Sequence, residues 1–182
     1  SNIPNNWTKD ASVIYSTDCG DDDGDGVVNG FDNCPDTPEG ESVDVSGCAM
    51  SQKTFIPDNN FEQFLISEGR DDVLDNYVVT NKIENITELN LYNKGISDLT
   101  GIEYFSALSY LDIRYNNLTE LDVSQNSNLV DLFTGNNPQL TSLILGANTS
   151  LSRLIASTTA LTSLDLSQNT GLTHLDLNGS SI

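Results

Sequence analysis

The residues best placed to do chemistry lie near the start of the chain, in Asp21-Asp22-Asp23-Gly24-Asp25-Gly26-Val27-Val28-Asn29-Gly30-Phe31-Asp32. Carboxylates at alternate positions before a glycine, closed by a further acid, fit the calcium-loop pattern D-x-D-x-D-G-x5-[D/E]. Calcium takes about six to eight hard oxygen ligands, and alternate residues of a tight loop can supply them. In this reading Asp21, Asp23 and Asp25 give side-chain oxygens and Val27 its carbonyl. Asn29 gives a direct or water-mediated oxygen, Asp32 closes the set, and Gly26 permits the sharp turn. Asp32 is shorter than the Glu that closes an EF-hand, and no helical pattern flanks the loop, so an EF-hand proper is not expected.

The charge supports a bound cation. The net charge is -20, and residues 18 to 47 hold ten Asp or Glu with no Lys or Arg. Such a chain repels nucleic acid and anionic lipid, so neither is an expected partner. No apolar run approaches a membrane span, so no membrane insertion is expected. The start, Ser1-Asn-Ile-Pro-Asn-Asn-Trp7, lacks a basic-then-apolar stretch and reads as a processed terminus. Three cysteines are too few for a disulfide scaffold, and an odd count leaves one unpaired or joined outside the chain. Catalysis is not expected. His174 is the only histidine, the serines lie in turns and strand exteriors with no base placed by spacing, and neither a phosphate loop nor a zinc motif is present.

The elements that position everything else come from a phrase, Leu-x-x-Leu-x-Leu-x-x-Asn. Clear copies run Leu108-x-x-Leu111-x-Ile113-x-x-Asn116, Leu118-x-x-Leu121-x-Val123-x-x-Asn126 and Leu161-x-x-Leu164-x-Leu166-x-x-Asn169. Leading apolar residues at Ile86, Leu108, Leu118, Leu129, Leu140, Leu151, Leu161 and Leu172 step by ten or eleven residues from Leu108 onward. A helical bundle is excluded, because this leucine spacing fits no 3.6-residue period. A step that is half the usual repeat predicts coils of about 21 to 22 residues with two short strands each. Asn116, Asn126, Asn137, Asn148 and Asn169 recur where the chain leaves a strand, where an inward amide can satisfy loop backbone. Lys94, Thr159 and Ser180 stand there in weaker copies, so those turns should be less well tied.

Four segments follow: a tail over 1–17, the acidic module over 18–50, a cap over 54–85 and the array over 86–182. In the cap a helix is expected after Ile56-Pro57, with Asp58 as N-cap, Phe61, Phe64, Leu65 and Ile66 on one face, and Gly69 as the stop. Val73, Leu74, Tyr77, Val78 and Val79 form a second apolar patch expected to help cover the first coil. The array stops within a coil over 172–182 and shows no polar cap. The natural protein is therefore expected to continue past Ile182, or, if Ile182 is a true end, to dimerise end to end.

Two unequal faces are expected. Glu120, Asp122, Ser124, Ser142, Ile144, Gly146, Ser163, Asp165 and Ser167 make one face small and acidic, a solvated exterior. The other carries Tyr92, Tyr110, Asp112, Arg114, Phe133, Arg153, Ile155 and His174, with Tyr115 nearby, the composition of a recognition surface. Such aromatics also stabilise a sheet by cross-strand pairing, and that alternative stands beside recognition.

Residues 54 to 182 resemble leucine-rich repeat proteins, specifically the short nested-repeat kind common in secreted proteins of Bacteroidetes-type bacteria. The resemblance implies that the second face is the concave binding face. The acidic run, continued by Asp32-Asn33-Cys34-Pro35-Asp36 and by Asp44-x-x-Gly47-Cys48, resembles a thrombospondin type 3 repeat of the bacterial form. That implies bound Ca2+, a Cys34–Cys48 disulfide and an oxidising compartment; Cys19 fits no pair. The expected fold is a mainly β solenoid with a small helical cap, preceded by an irregular calcium-binding loop module. The expected function is a secreted or cell-surface adhesion module taking a protein or glycan. The competing expectation is a calcium-stiffened structural spacer of a larger secreted protein.

Overall fold

The computed structural model describes residues 20–182; the tail over 1–17 and Cys19 lie outside the described residues. The chain divides into two compact units, residues 1–50 and 51–182.

The first unit is loop-built. Cys34 and Cys48 are buried and bonded, and an isolated antiparallel bridge joins Val43 to Ala49. The buried Thr37 hydroxyl donates to the Cys34 and Gly47 carbonyls, at 3.1 and 2.8 Å. With so little apolar surface to bury, the cross-link carries the unit: closing a loop of about 15 residues is worth roughly 3 kcal/mol.

The second unit opens with the cap. Strand β1 (Lys53–Phe55) pairs antiparallel with β2 (Tyr77–Val79), and helix α1 (Asn59–Ser67) lies between them in sequence. Asp58 caps α1: its Oδ1 accepts the Asn60 and Phe61 N–H groups. Its Oδ2 accepts the Ser97 N–H, the Ser97 hydroxyl and the Asp98 N–H, tying the helix start to the first coil. Burial would raise the Asp58 carboxyl, but the hydrogen bonds from Ser97, Phe61 and Asn60 outweigh it and hold the group below the usual range. The helix buries Phe61 and Leu65, and Phe61 stacks on Phe105 of the array at 5.8 Å. Gly69 adopts φ +68 and ends the helix.

One expectation about the cap needs correction. Val73 and Leu74 are about half exposed, so the patch contributes mainly Val78, which is fully enclosed. The helix face also buries Glu62, whose Oε1 accepts the Asp75 and Asn76 N–H groups at 2.7 and 2.6 Å. The loop after α1 is thus held by a carboxylate and not by apolar burial. Burial pushes the nearby Asp71 carboxyl up to about 6, with Glu62, Asp75 and Asp72 adding to the effect.

The array is a right-through parallel solenoid. Strands β3 (Glu88–Asn90), β4 (Tyr110–Asp112), β6 (Asp131–Phe133), β8 (Arg153–Ile155) and β9 (His174–Asp176) form one parallel sheet in that order. Leu89, Leu111, Leu132, Leu154 and Leu175 stand in register at a repeat of 21 or 22 residues. The first four are buried, and each such side chain contributes about 1.5–3 kcal/mol. On the opposite side β5 (Glu120–Asp122) pairs in parallel with β7 (Ser142–Ile144). The third strand expected there, around Asp165, does not form, and Leu164 and Leu166 are only partly buried. Between strands the asparagines knit coil to coil. Asn116 donates to the Leu91 and Ile113 carbonyls and accepts the Lys94 and Ile96 N–H groups. Asn126, Asn137, Asn148 and Asn169 also donate to carbonyls of earlier coils. Thr159 reaches only the Ala156 carbonyl and Ser180 only that of Leu177.

Candidate functional site

The strand register sets the five-stranded face. Because successive side chains alternate, the residues flanking each buried leucine project from one surface and stack across coils. Tyr110, Asp131, Arg153 and His174 align in one row; Asn90, Asp112, Phe133, Ile155 and Asp176 align in the next. Arg114 lies between two rings, 5.6 Å from Tyr92 and 5.2 Å from Phe133. Arg153 approaches the same Phe133 at 5.8 Å and lies 3.5 Å from Asp131. Tyr110 tilts against Phe133 at 5.5 Å, and Tyr92 against Tyr115 at 5.1 Å.

Asp112 does not belong to the accessible surface. It is 2% exposed and sits beneath the cluster, gripping the Arg114 guanidinium at 2.9 and 2.6 Å. That bidentate grip raises the Arg114 pKa, and burial, reinforced by Asp112, raises that of Tyr110. Tyr92, Arg153 and His174 are exposed, whereas Arg114, Tyr110, Phe133 and Ile155 are half-buried. The His174 ring contacts the Thr173 hydroxyl at 2.9 Å.

Helix α1 closes one end of this face. Phe64 of α1 and its C-cap Glu68 line a cleft of about 670 Å³ with Glu88, Asn90, Tyr92, Lys94 and Tyr110. The Lys94 ammonium lies 5.5 Å over the Phe64 ring. The opposite face is less featureless than its composition suggests. A cleft of about 370 Å³ lies between residues 98–103 and β5; residues 98–100, one 22-residue step before β5, form no strand and lead into a 3-10 helix at Ile102–Tyr104.

In the first unit the loop gathers carboxylates. Oxygens of Asp21, Asp23 and Asp25 lie within 4.8 Å of one another. The Asp25 Oδ2 is buried without a hydrogen-bond partner. Gly47, at φ +78, lets both Asp25 and Asp32 approach, since a Cβ there would overlap the Asp32 carboxylate and crowd the Asp25 Oδ2. The remaining oxygens are engaged by the loop itself. Asp21 accepts the Gly24 and Gly26 N–H groups, Asp23 that of Thr37, Asn29 that of Asp22 and Asp32 that of Cys34. The Val27 N–H is tied to Asp25. A set of clustered hard oxygens around one buried, unpartnered carboxylate oxygen fits a calcium ion.

Comparison with known proteins finds relatives by sequence over parts of the chain. Over 82 residues the chain is 36% identical to internalin J of Listeria monocytogenes serotype 4b (strain F2365), 45% of this chain and 9% of that protein. The array itself is a parallel β-solenoid with coils of 21 or 22 residues. A second relative is an alpha-agarase of Alteromonas agarilytica, 56% identical over 32 residues, 18% of this chain and 2% of that enzyme. The chain thus spans less than a tenth of these curated relatives. No family model matches it. Among solved structures, an internalin (inlF) of Listeria monocytogenes matches with TM-score 0.48 and 24% identity, over 69% of this chain and 44% of that one. The functional domain of internalin J from the same organism matches with TM-score 0.37 and 21% identity, over 71% and 43%. Among the described residues, no helix is long and apolar enough to cross a membrane.

Proposed function

We propose that this chain is a non-catalytic, secreted or cell-surface adhesion module whose leucine-rich repeats recognise a protein through the five-stranded face. The observation that carries this reading is the Tyr92–Arg114–Phe133–Arg153 stack, anchored from below by buried Asp112. Aromatic and Arg side chains are the usual energetic centres of protein interfaces. Here their rotamers are already restrained, so little ordering entropy remains to be lost on binding. The 82-residue similarity to internalin J supports the same class of function. A screen of the intact chain against host-surface and matrix proteins, run beside a glycan array, tests it. Tyr92→Ala with Tyr115→Ala should weaken protein capture at least tenfold with unchanged melting. Capture of glycans alone would transfer the site to sugar stacking on the Tyr92–Tyr115 pair. No capture in any format would leave the structural spacer.

The acidic module completes the proposal as a thrombospondin type 3-like calcium-binding spacer. Its support is the Asp21, Asp23 and Asp25 cluster beside Asp32, closed by the Cys34–Cys48 bond. Bound Ca2+ would supply charge neutralisation and stiffness. Calorimetric titration with Ca2+ should give heat that Asp23→Ala greatly reduces; an unchanged isotherm would remove the assignment.

A further inference from the structure

The cleft at the α1 end of the five-stranded face differs in charge from the centre of that face. At the centre the cations are already answered: buried Asp112 grips Arg114 at 2.9 and 2.6 Å, and Arg153 lies 3.5 Å from Asp131. In the cleft two carboxylates, Glu68 and Glu88, meet a single ammonium, that of Lys94, which lies over the Phe64 ring. Both carboxylates are exposed. Among the described residues neither joins an ion pair nor accepts a hydrogen bond, and Lys94 pairs with neither. Glu88 stands in register with Tyr110 on the neighbouring strand, so its side chain projects from the same surface as that ring. Phe64, Tyr92 and Tyr110 supply the aromatic walls. Rings attract a cation over their faces, and a carboxylate beside them fixes its position.

We propose, resting on the recognition of a protein by this face, that the cleft receives an arginine side chain of that protein. The partner then meets the face with a basic surface and not an acidic one. Arg114 and Arg153 by themselves point to an acidic partner, but both already have their counter-ions. Glu68 and Glu88 have none, and an uncharged surface laid over them would leave a desolvated carboxylate without a positive partner. Arginine suits the cleft better than lysine, because its planar guanidinium stacks on an aromatic ring while donating paired hydrogen bonds to a carboxylate. The net charge of -20 draws such a partner in from a distance.

The test follows the full chain residue by residue in amide NMR spectra during titration with acetyl-Gly-Arg-Gly-amide. The same peptide with citrulline in place of arginine keeps the shape and removes the charge. The expected result is saturable shifts centred on Glu88, Asn90, Tyr92 and Lys94, with the citrulline peptide about tenfold weaker. Glu68→Gln with Glu88→Gln, both at exposed positions, should weaken the arginine peptide about tenfold at unchanged melting. Absence of saturable shifts, equal binding of the two peptides, or shifts spread evenly over the acidic surface would overturn the proposal. So would an affinity that survives both substitutions. The recognition face and the arginine cleft fail separately. Protein capture that needs Tyr92 and Tyr115 but ignores Glu68→Gln with Glu88→Gln would keep the face and overturn the cleft. Peptide seated in the cleft with no protein captured would count against the recognition face alone.

Discussion

Asn116 uses both ends of its amide on backbone: two carbonyls accept from its Nδ2, and two N–H groups donate to its Oδ1. Truncation leaves those buried groups unsatisfied, and each costs about 1–3 kcal/mol. Asn116→Ala should therefore destabilise the repeat unit by about 3 kcal/mol in urea unfolding. Thr159→Ala, losing one bond to Ala156, should cost about 1 kcal/mol. Similar costs at the two positions would mean that side-chain volume, and not the amide, matters there. Asp58 gives a pH signature. Its folded pKa is depressed, so its contribution is present above the ordinary 3.8 and lost as pH falls through the lower folded value. Wild type should lose stability below pH 4 more steeply than Asp58→Asn, as followed by melting across pH 5 to 2.5.

At the scale of elements, the turn after each sheet strand adopts the left-handed conformation at Asn93, Tyr115, Asn136, Thr158 and Gly179. Asparagine and glycine tolerate it; Tyr115, at φ 60, does not do so readily. Tyr115→Asn should raise stability by about 0.5–1 kcal/mol by relieving that strain. It would also dismantle the exposed pair with Tyr92 and weaken partner capture. Gain in stability with loss of binding is the outcome expected of a side chain kept for recognition. Phe133 should behave differently. It touches Tyr110, Arg114 and Arg153 across three strands, so Phe133→Ala should lower stability by about 2 kcal/mol as well as binding. Deeper motifs explain why sequence alone misjudged Asp112. Alternation along β4 correctly put it on the Tyr110 side of the strand, but the guanidinium of Arg114 and the ring of Phe133, arriving from the next coil, cover it.

At the scale of the whole molecule, two compact units with different supports should respond differently to chemistry. Reducing the Cys34–Cys48 bond should unfold the first unit and leave the melting of the repeat unit unchanged, as seen by calorimetry with and without reductant. A shared shift would show that the units stabilise one another.

What the sequence determined by itself was the local and periodic part. Leucine spacing implied a coil of 21 or 22 residues and two strands per coil, because side-chain alternation and repeat length are properties of neighbouring residues. The asparagine turns, the Asp58 cap and the carboxylate loop were legible for the same reason. Tertiary structure decided what depends on residues far apart. It buried Asp112, left Val73 and Leu74 in solvent and denied the Asp165 region a strand. It also set α1 against the first strands to wall a cleft, and enclosed Glu62. Burial is a property of the surroundings, and in a solenoid the surroundings of each residue arrive a full coil later in the chain.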